Sequence, residues 1–212
     1  MLKITTPYAS TLVLAASLAV ASFSANADMK LDSAASSLSL VSTKVLAPGN
    51  ASVSERFTFS GLNGMVDAAG NATIQIPLGS VSTGIDIRNE RMAKYLFEVD
   101  KFPAATITAM IPAELMSGEA QLAEITAALS LRGKTSVLNI PVLISSADGK
   151  VMVSATEPVL VDAKAHDLDA GLGKLAESVV PTTSHVLNTV HSIFRWVFDL
   201  FLYAINAGVL CD

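Results

Sequence analysis

Apolar and polar residues alternate with a period of two through most of this chain, from residue 38 to residue 161. Clear examples are residues 56–60 (RFTFS) and residues 71–76 (NATIQI). A period of two is typical of half-buried β-strands, because successive side chains of a strand point to opposite faces. Turn signals separate seven candidate strands within about 130 residues, and long helical patterns do not alternate with them. The sequence therefore predicts an all-β, antiparallel meander and argues against a parallel α/β sheet.

A meander that buries one face must also protect its two edge strands. Closure into a barrel does both, so we expect an antiparallel barrel of seven to eight strands. A two-sheet β-sandwich is the competing architecture. Two short helical insertions interrupt the alternation, at residues 89–97 (NERMAKYLF) and residues 167–178 (DLDAGLGKLAES). Their length suits them to plug or flank one end of a barrel.

The first 27 residues have the features of an export signal. Lys3 supplies a positive charge, and residues 12–20 (LVLAASLAV) form an apolar run that is too short to span a bilayer. Residues 25–27 (ANA) fit a cleavage site for signal peptidase. We therefore expect residues 1–27 to be a signal peptide and the mature protein to be periplasmic, with secretion as the alternative. An N-terminal membrane anchor is the other interpretation.

The composition excludes several classes of function. The net charge of -5 argues against a nucleic-acid partner, which requires a basic surface. The single cysteine, Cys211, excludes an internal disulfide and a paired-cysteine zinc site. The histidines are His166, His185 and His191, and the last two are six residues apart, which does not place them on one helix face. The sequence also lacks nucleophile-elbow and phosphate-loop motifs. We therefore expect no catalytic residues, no metal site and no cofactor.

Several segments resemble, in the correct order, the signature of the YceI-like family. They are residues 57–64 (FTFSGLNG), 80–89 (SVSTGIDIRN), 95–107 (YLFEVDKFPAATI) and 129–135 (LSLRGKT). The resemblance extends from residue 29 to about residue 179. It implies an eight-stranded, lipocalin-like barrel with an elongated apolar cavity. It also implies an exported bacterial protein that binds polyisoprenoid chains and is not an enzyme. A barrel of this size can hold one slender ligand.

We therefore divide the chain into a signal peptide (1–27), a YceI-like lipid-binding barrel (28–180) and a divergent apolar tail (181–212). The expected function is to hold or carry a polyisoprenoid lipid, of the quinone or polyprenyl type, in an apolar cavity. One alternative is a stress-linked structural or interaction protein with a filled barrel. The other is an enzyme that modifies isoprenoids or quinones. A transient contact with a membrane surface is compatible with the first function, and the sequence does not fix the oligomeric state.

The candidate ligand-binding residues are the large apolar side chains of one phase of each strand. That phase faces the barrel interior, where the same residue types line a cavity or fill a core. They are Leu38, Leu40, Phe57, Phe59, Ile74, Ile76, Leu129, Leu131, Ile140 and Val142. We expect Thr83, Arg88 and Asn89 of the family signature to build the turn from strand to helix. Contact with a ligand head group is the alternative role for them.

The tail departs from the family pattern, which ends with an alternating strand that closes the barrel. Apolar residues between Leu187 and Ile205 recur at helical spacing instead. This spacing predicts a helix that packs on the barrel or lies at a membrane surface. A substitute final strand at residues 186–197, a transmembrane anchor and a product of an altered reading frame are the alternatives. Barrel closure is the open question that the sequence leaves.

Overall fold

The structure is a computed structural model, and it describes residues 28–46, 51–116, 119–147, 150–177, 200–203 and 207–210. These residues form twelve strands: β1 (Met29–Asp32), β2 (Leu38–Leu46), β3 (Ala51–Phe59), β4 (Asn63–Val66), β5 (Asn71–Pro77), β6 (Ala104–Met110), β7 (Gln121–Leu131), β8 (Lys134–Ala147), β9 (Lys150–Ala155), β10 (Val159–Val161), β11 (Leu200–Tyr203) and β12 (Ala207–Leu210). The expected signal peptide, residues 1–27, lies outside the described residues and stays a prediction.

Eight of these strands form a closed antiparallel barrel in the order β1-β12-β9-β8-β7-β6-β5-β4. Strands β4 to β9 pair in sequence order, as a meander requires. Strand β1 closes the ring, because it pairs with β4 on one side and with β12 on the other. The predicted antiparallel, lipocalin-like barrel is confirmed.

The other four strands form a sheet in the order β10-β11-β2-β3. Along the chain, β10 follows β9, β11 precedes β12, β2 follows β1 and β3 precedes β4, so each of these strands adjoins one barrel strand. The adjoining strands have the same order in both sheets. The four-stranded sheet therefore extends one side of the barrel. Gly61, with a φ of 65°, lies between β3 and β4, and Pro158 lies between β9 and β10. Both residues interrupt the ladder of hydrogen bonds, Gly61 because its backbone is left-handed and Pro158 because it has no N–H group. The segments 51–66 and 150–161 are therefore each divided into two strands.

The tail supplies strands β11 and β12 where its spacing predicts a helix. Strand β11 pairs with β10 and β2, and β12 pairs with β9 and β1. The prediction of a helix is wrong for these eight residues. Without them, the facing edges of both sheets would present unpaired backbone N–H and C=O groups, and a helix cannot satisfy those groups. The remainder of the predicted helix and the alternative strand at residues 186–197 lie outside the described residues.

The two helical insertions lie at one end of the barrel. Helix α1 (Asp86–Arg91) continues into a π-helical segment (Met92–Phe97), and helix α2 (Asp169–Glu177) packs against that segment. Short 3-10 turns are present at Leu78–Ser80, Ala113–Leu115 and Lys164–His166. Both predicted insertions are confirmed within three residues at each end. In the part of the chain that the structure describes, no helix is long and apolar enough to cross a membrane.

Candidate ligand-binding cavity

The half of the barrel that lies away from the helices encloses a cavity of about 90 Å³. Seven barrel strands supply its wall, and every residue in the wall is apolar. The wall consists of Leu31, Met65, Val66, Ala72, Ile74, Ile107, Ala109, Ile111, Ile125, Ala127, Ile140, Val142, Val153 and Ala155. Because these side chains offer no hydrogen-bonding group, the cavity suits a hydrocarbon and does not suit a polar solute.

A row of alanines creates the space in this half of the barrel. Ala72 on β5 lies directly opposite Ala109 on β6, which lies directly opposite Ala127 on β7. Ala155 on β9 also faces the cavity, opposite Val142. The hydrogen-bond ladder fixes the distance between strands, so a methyl group at an inward position leaves volume that a larger aliphatic side chain would fill. The alanine row (Ala72, Ala109 and Ala127) therefore sets the width of the cavity.

Large side chains fill the barrel at the end that carries the helices. Phe57 and Phe59 of β3 are buried there together with Leu96 and Phe97 of the π-helical segment. The rings of Phe59 and Phe97 are tilted against each other with their centroids 6.0 Å apart. Leu168 and Leu172, at the start of helix α2, belong to the same core. The interior is thus hollow at one end and packed at the other.

A buried histidine ties the packed end together. His166 is completely buried, and its Nε2 lies 2.9 Å from the Ser136 hydroxyl while its Nδ1 lies 3.2 Å from the Leu131 carbonyl oxygen. A carbonyl oxygen only accepts, so Nδ1 carries the proton and donates to it, and in the neutral ring Ser136 donates to Nε2. His166 therefore links its 3-10 turn to both β7 and β8.

An arginine and a glutamate form a second link at the same end. The Arg132 guanidinium donates to the Glu98 carboxylate and to the Asp167 carbonyl oxygen. Lys101 also donates to Glu98, over 3.3 Å. The hydrogen bond from Arg132, followed by the one from Lys101, lowers the pKa of Glu98 below its ordinary value. These contacts join the turn between β7 and β8 to both helical insertions, and none of the residues involved lines the cavity.

The model of the YceI-like domain family matches residues 29–188. The chain belongs to the YceI-like family. Among solved structures, this YceI-like chain is similar to a polyisoprenoid-binding domain from Saccharophagus degradans implicated in plant cell wall breakdown. The two are 28% identical, the match covers 87% of this chain and 98% of that one, and the TM-score is 0.73. BcnA of Burkholderia cenocepacia shares the fold at 20% identity, with 85% and 99% of the two chains covered and a TM-score of 0.57. No curated protein matches the chain.

The ten residues that the sequence predicts for the YceI-like site all lie in the apolar interior. Ile74, Ile140 and Val142 line the cavity. The other seven are buried in the core and are not part of the cavity wall: Leu38, Leu40, Phe57, Phe59, Ile76, Leu129 and Leu131. Contact between a ligand and any of the ten stays a prediction. The other wall residues are not among those predicted, and four of them are alanines at inward positions, a signal that could have identified them: Ala72, Ala109, Ala127 and Ala155.

The polar residues of the YceI-like signature build the turn that leads into α1. The Thr83 backbone N–H and hydroxyl both donate to Asn89 Oδ1, each over 2.8 Å. Arg88 forms an ion pair with Glu55 at 3.0 Å, which joins α1 to β3. Gly84, with a φ of 77°, adopts the left-handed backbone conformation that this turn requires. None of these residues lines the cavity, so the expected structural role is the one observed.

The structure offers no candidate metal centre within the described residues. There, no three His, Cys, Asp or Glu side chains come close enough to one another to hold an ion.

Proposed function

We propose that this protein binds a polyisoprenoid chain in its cavity and carries that chain without reacting with it. The observation that carries the proposal is the apolar wall, which matches a branched hydrocarbon and offers no group for acid–base or nucleophilic chemistry. The 28% identical neighbour from Saccharophagus degradans is a polyisoprenoid-binding domain, which supports the same ligand class here. A filled barrel, as expected for a purely structural protein, does not describe this half of the molecule.

The volume of the cavity limits what enters it without rearrangement. An engineered apolar cavity of about 150 Å³ admits benzene, whereas this cavity measures about 90 Å³. One isoprene unit therefore occupies most of the space, and a longer chain requires wall side chains to move. Met65 is suited to such movement, because it is 44% exposed and methionine is flexible and unbranched. A quinone or polyprenyl head group, which is polar, would remain outside the apolar wall.

The energetics of the proposed ligand favour a carrier. Transfer of one five-carbon unit from water is favourable by about 3–4 kcal/mol, at roughly 0.8 kcal/mol for each buried methylene-sized group. An isoprenoid in a bilayer is already out of water, so its net transfer into an apolar cavity is near zero. This balance permits both loading and release. We further propose that the protein works in the periplasm, on the basis of the export features of residues 1–27.

Substitution within the alanine row tests the proposed function. Ala127 faces the cavity and is buried, whereas Ala128, the next residue of β7, faces outwards. We expect Ala127→Leu to reduce the amount of lipid retained about tenfold, because the added carbons occupy the cavity. Ala128→Leu, which adds the same carbons outside, should retain wild-type amounts. Native mass spectrometry of the purified proteins measures the lipid adduct directly.

The proposal is contradicted if Ala127→Leu stays folded, by circular dichroism, and retains as much lipid as the wild type. Absence of any lipid-mass adduct in the wild type, even after incubation with geranylgeraniol, would also contradict it.

A further inference from the structure

Three large apolar side chains are exposed side by side on the outer face of the barrel. Leu122 of β7 and Leu143 of β8 lie directly opposite each other and are 75% and 37% exposed. Met152 of β9 lies opposite Ser145, two residues along β8 from Leu143, so it is the diagonal neighbour of Leu143. Long side chains in diagonal positions are within reach of each other. We name these three residues the rim stripe.

The rim stripe lies on the outer surface of the strands whose inner surface forms the cavity wall. Leu143 directly follows Val142, and Met152 directly precedes Val153, both of which line the cavity. The stripe is therefore in the hollow half, at the end away from the helices. Two further exposed methionines, Met65 and Met110, belong to the same half of the barrel. These five are among nine large apolar side chains that are exposed in the described residues, and Ile85 and Ile87, at the start of α1, are exposed at the opposite end.

The charges near the stripe indicate which kind of surface it fits. Glu124 is exposed on the outer face of β7, two residues from Leu122, and Lys150 is exposed on the outer face of β9, two residues from Met152, so the two formal charges that flank the stripe balance. The polar neighbour of Leu143 along β8 is Ser145. The whole chain has a net charge of -5. An anionic lipid surface would repel such a protein, because it requires basic residues for attraction. A bilayer with zwitterionic head groups carries no net charge and accepts shallow insertion of leucine and methionine side chains.

We propose that the rim stripe docks on a zwitterionic lipid bilayer and thereby places the cavity next to the membrane from which the ligand is loaded. This inference rests on the proposed function, because a polyisoprenoid resides in a bilayer. Contact at the stripe shortens the path of the hydrocarbon through water. It also explains why apolar side chains are exposed there at a cost in solubility.

The test separates docking from binding by loading the ligand from two sources. The variant carries Leu122→Ser and Leu143→Ser, and the matched control carries Leu160→Ser, which removes a 62% exposed leucine from β10, outside the hollow half. Geranylgeraniol is supplied either from phosphatidylcholine vesicles or from ethanolic solution, and the loaded protein is quantified by mass spectrometry. Co-flotation with ligand-free phosphatidylcholine vesicles measures docking by itself.

We expect the double variant to load about tenfold more slowly from vesicles, to lose co-flotation, and to load like the wild type from ethanolic solution. The control variant should behave like the wild type in every arm. Vesicle loading and co-flotation that are unchanged in the double variant would overturn the proposal. So would tighter wild-type binding to phosphatidylglycerol vesicles, or a wild-type dimer that the double variant dissociates, because the stripe would then serve a different partner. Failure of the wild type to load from either source would instead overturn the proposed function.

Discussion

At the scale of single residues, His166 is the most deeply buried polar side chain in the described structure. It is fully buried, and both ring nitrogens have partners, Ser136 and the Leu131 carbonyl oxygen. When one partner of a buried hydrogen bond is removed, the remaining partner is left unsatisfied. The free-energy cost of that unsatisfied group is larger than the net stabilisation that the hydrogen bond contributes. His166 therefore acts as a structural link between the 3-10 turn and two strands, and it does not line the cavity.

Replacement of His166 tests this structural role. We expect His166→Ala to lower the free energy of unfolding by about 2–4 kcal/mol, because it leaves a cavity and two unsatisfied groups. Ser136→Ala, which removes one partner only, should lower it by about 1 kcal/mol. Urea denaturation monitored by circular dichroism gives both values. A His166→Ala variant as stable as Ser136→Ala would contradict the role.

The ion pair between Glu98 and Arg132 predicts a dependence of stability on pH. Hydrogen bonds from Arg132 and then from Lys101 lower the pKa of Glu98 in the folded state below the ordinary 4.5. A lowered folded-state pKa means that the stabilisation is complete above the ordinary pKa and is lost as the pH falls through the folded-state value. We therefore expect Glu98→Gln to have a lower melting temperature than the wild type at pH 7. The difference should disappear under acidic conditions below pH 4.5.

Thermal unfolding of both proteins across this pH range measures the effect. Glu90→Gln, at an exposed position on α1, serves as the control and should show no such trend. A Glu98→Gln difference that persists unchanged into acid would contradict the proposed cause.

The residues of the cavity wall show what the sequence could predict and what it could not. Alternation identified the inward phase of the strands, so Ile74, Ile140 and Val142 were predicted for the right surface. The alanine row was not predicted, because a search for large apolar residues favours positions such as Phe59 and Leu129, which fill the packed end. Whether an inward position lines a cavity depends on the size of its cross-strand neighbours, and the period of a single strand contains no such information.

At the scale of elements, two glycines of helix α2 differ sharply in their surroundings. A Cβ atom at Gly171 would lie 2.4 Å from the Tyr95 carbonyl oxygen and 2.7 Å from the Leu96 Cα, whereas a Cβ atom at Gly173 would meet nothing within 4 Å. Gly171 is therefore what allows α2 to pack closely on the π-helical segment. Gly173 has no such requirement and only weakens the helix.

Alanine at each position provides a matched pair. We expect Gly171→Ala to lower the free energy of unfolding by about 1–3 kcal/mol, because backbone atoms must move apart. Gly173→Ala should raise it by about 0.5–1 kcal/mol through better helix propensity. Chemical denaturation measures the free energy of unfolding of the two variants. Equal changes of the same sign would contradict the close packing of α2.

The long strands were predictable from the sequence, and the short ones were not. Strands β5, β7 and β8 have enough residues to show alternation. Strands β1, β10, β11 and β12 have three or four residues each, which is too few to show a period. Their conformation depends on pairing with strands far away in the chain. In the tail, pairing with the unpaired N–H and C=O groups of two open sheet edges favours strands. This effect outweighs the helical spacing of the apolar residues.

At the scale of the whole molecule, the tail strands complete both sheets. Removal of residues 200–212 would leave β1 and β9 without a partner between them, and likewise β2 and β10. We expect this truncation to form soluble aggregates or to precipitate, because the exposed edges pair with other chains. A shorter truncation that removes only residues 211–212 should remain soluble. Size-exclusion chromatography compares the two, and a monomeric, lipid-loaded protein without residues 200–212 would contradict the closing role of the tail.

The packed half and the hollow half of the interior meet two different requirements, stability and capacity for a ligand. The packed half holds Phe57, Phe59, Phe97, His166 and the helices, which supply dense packing and buried hydrogen bonds. The hollow half is less densely packed and contains the cavity. Substitutions in the packed half should therefore affect stability first, and substitutions in the alanine row should affect capacity first.

The pairing of β1 with β12 has a consequence for the order of events in time. Lys30 lies opposite Leu210, so the ring joins residues that are 180 positions apart in the chain. Contacts between such distant residues form late, because the entropy of closing a long loop is lost before the contact stabilises anything. During synthesis, strands β4 to β9 are able to pair with one another as they emerge, but the ring cannot close until the last strand is free. Until that moment the nascent molecule is an open, curved sheet, and its interior is accessible from the side.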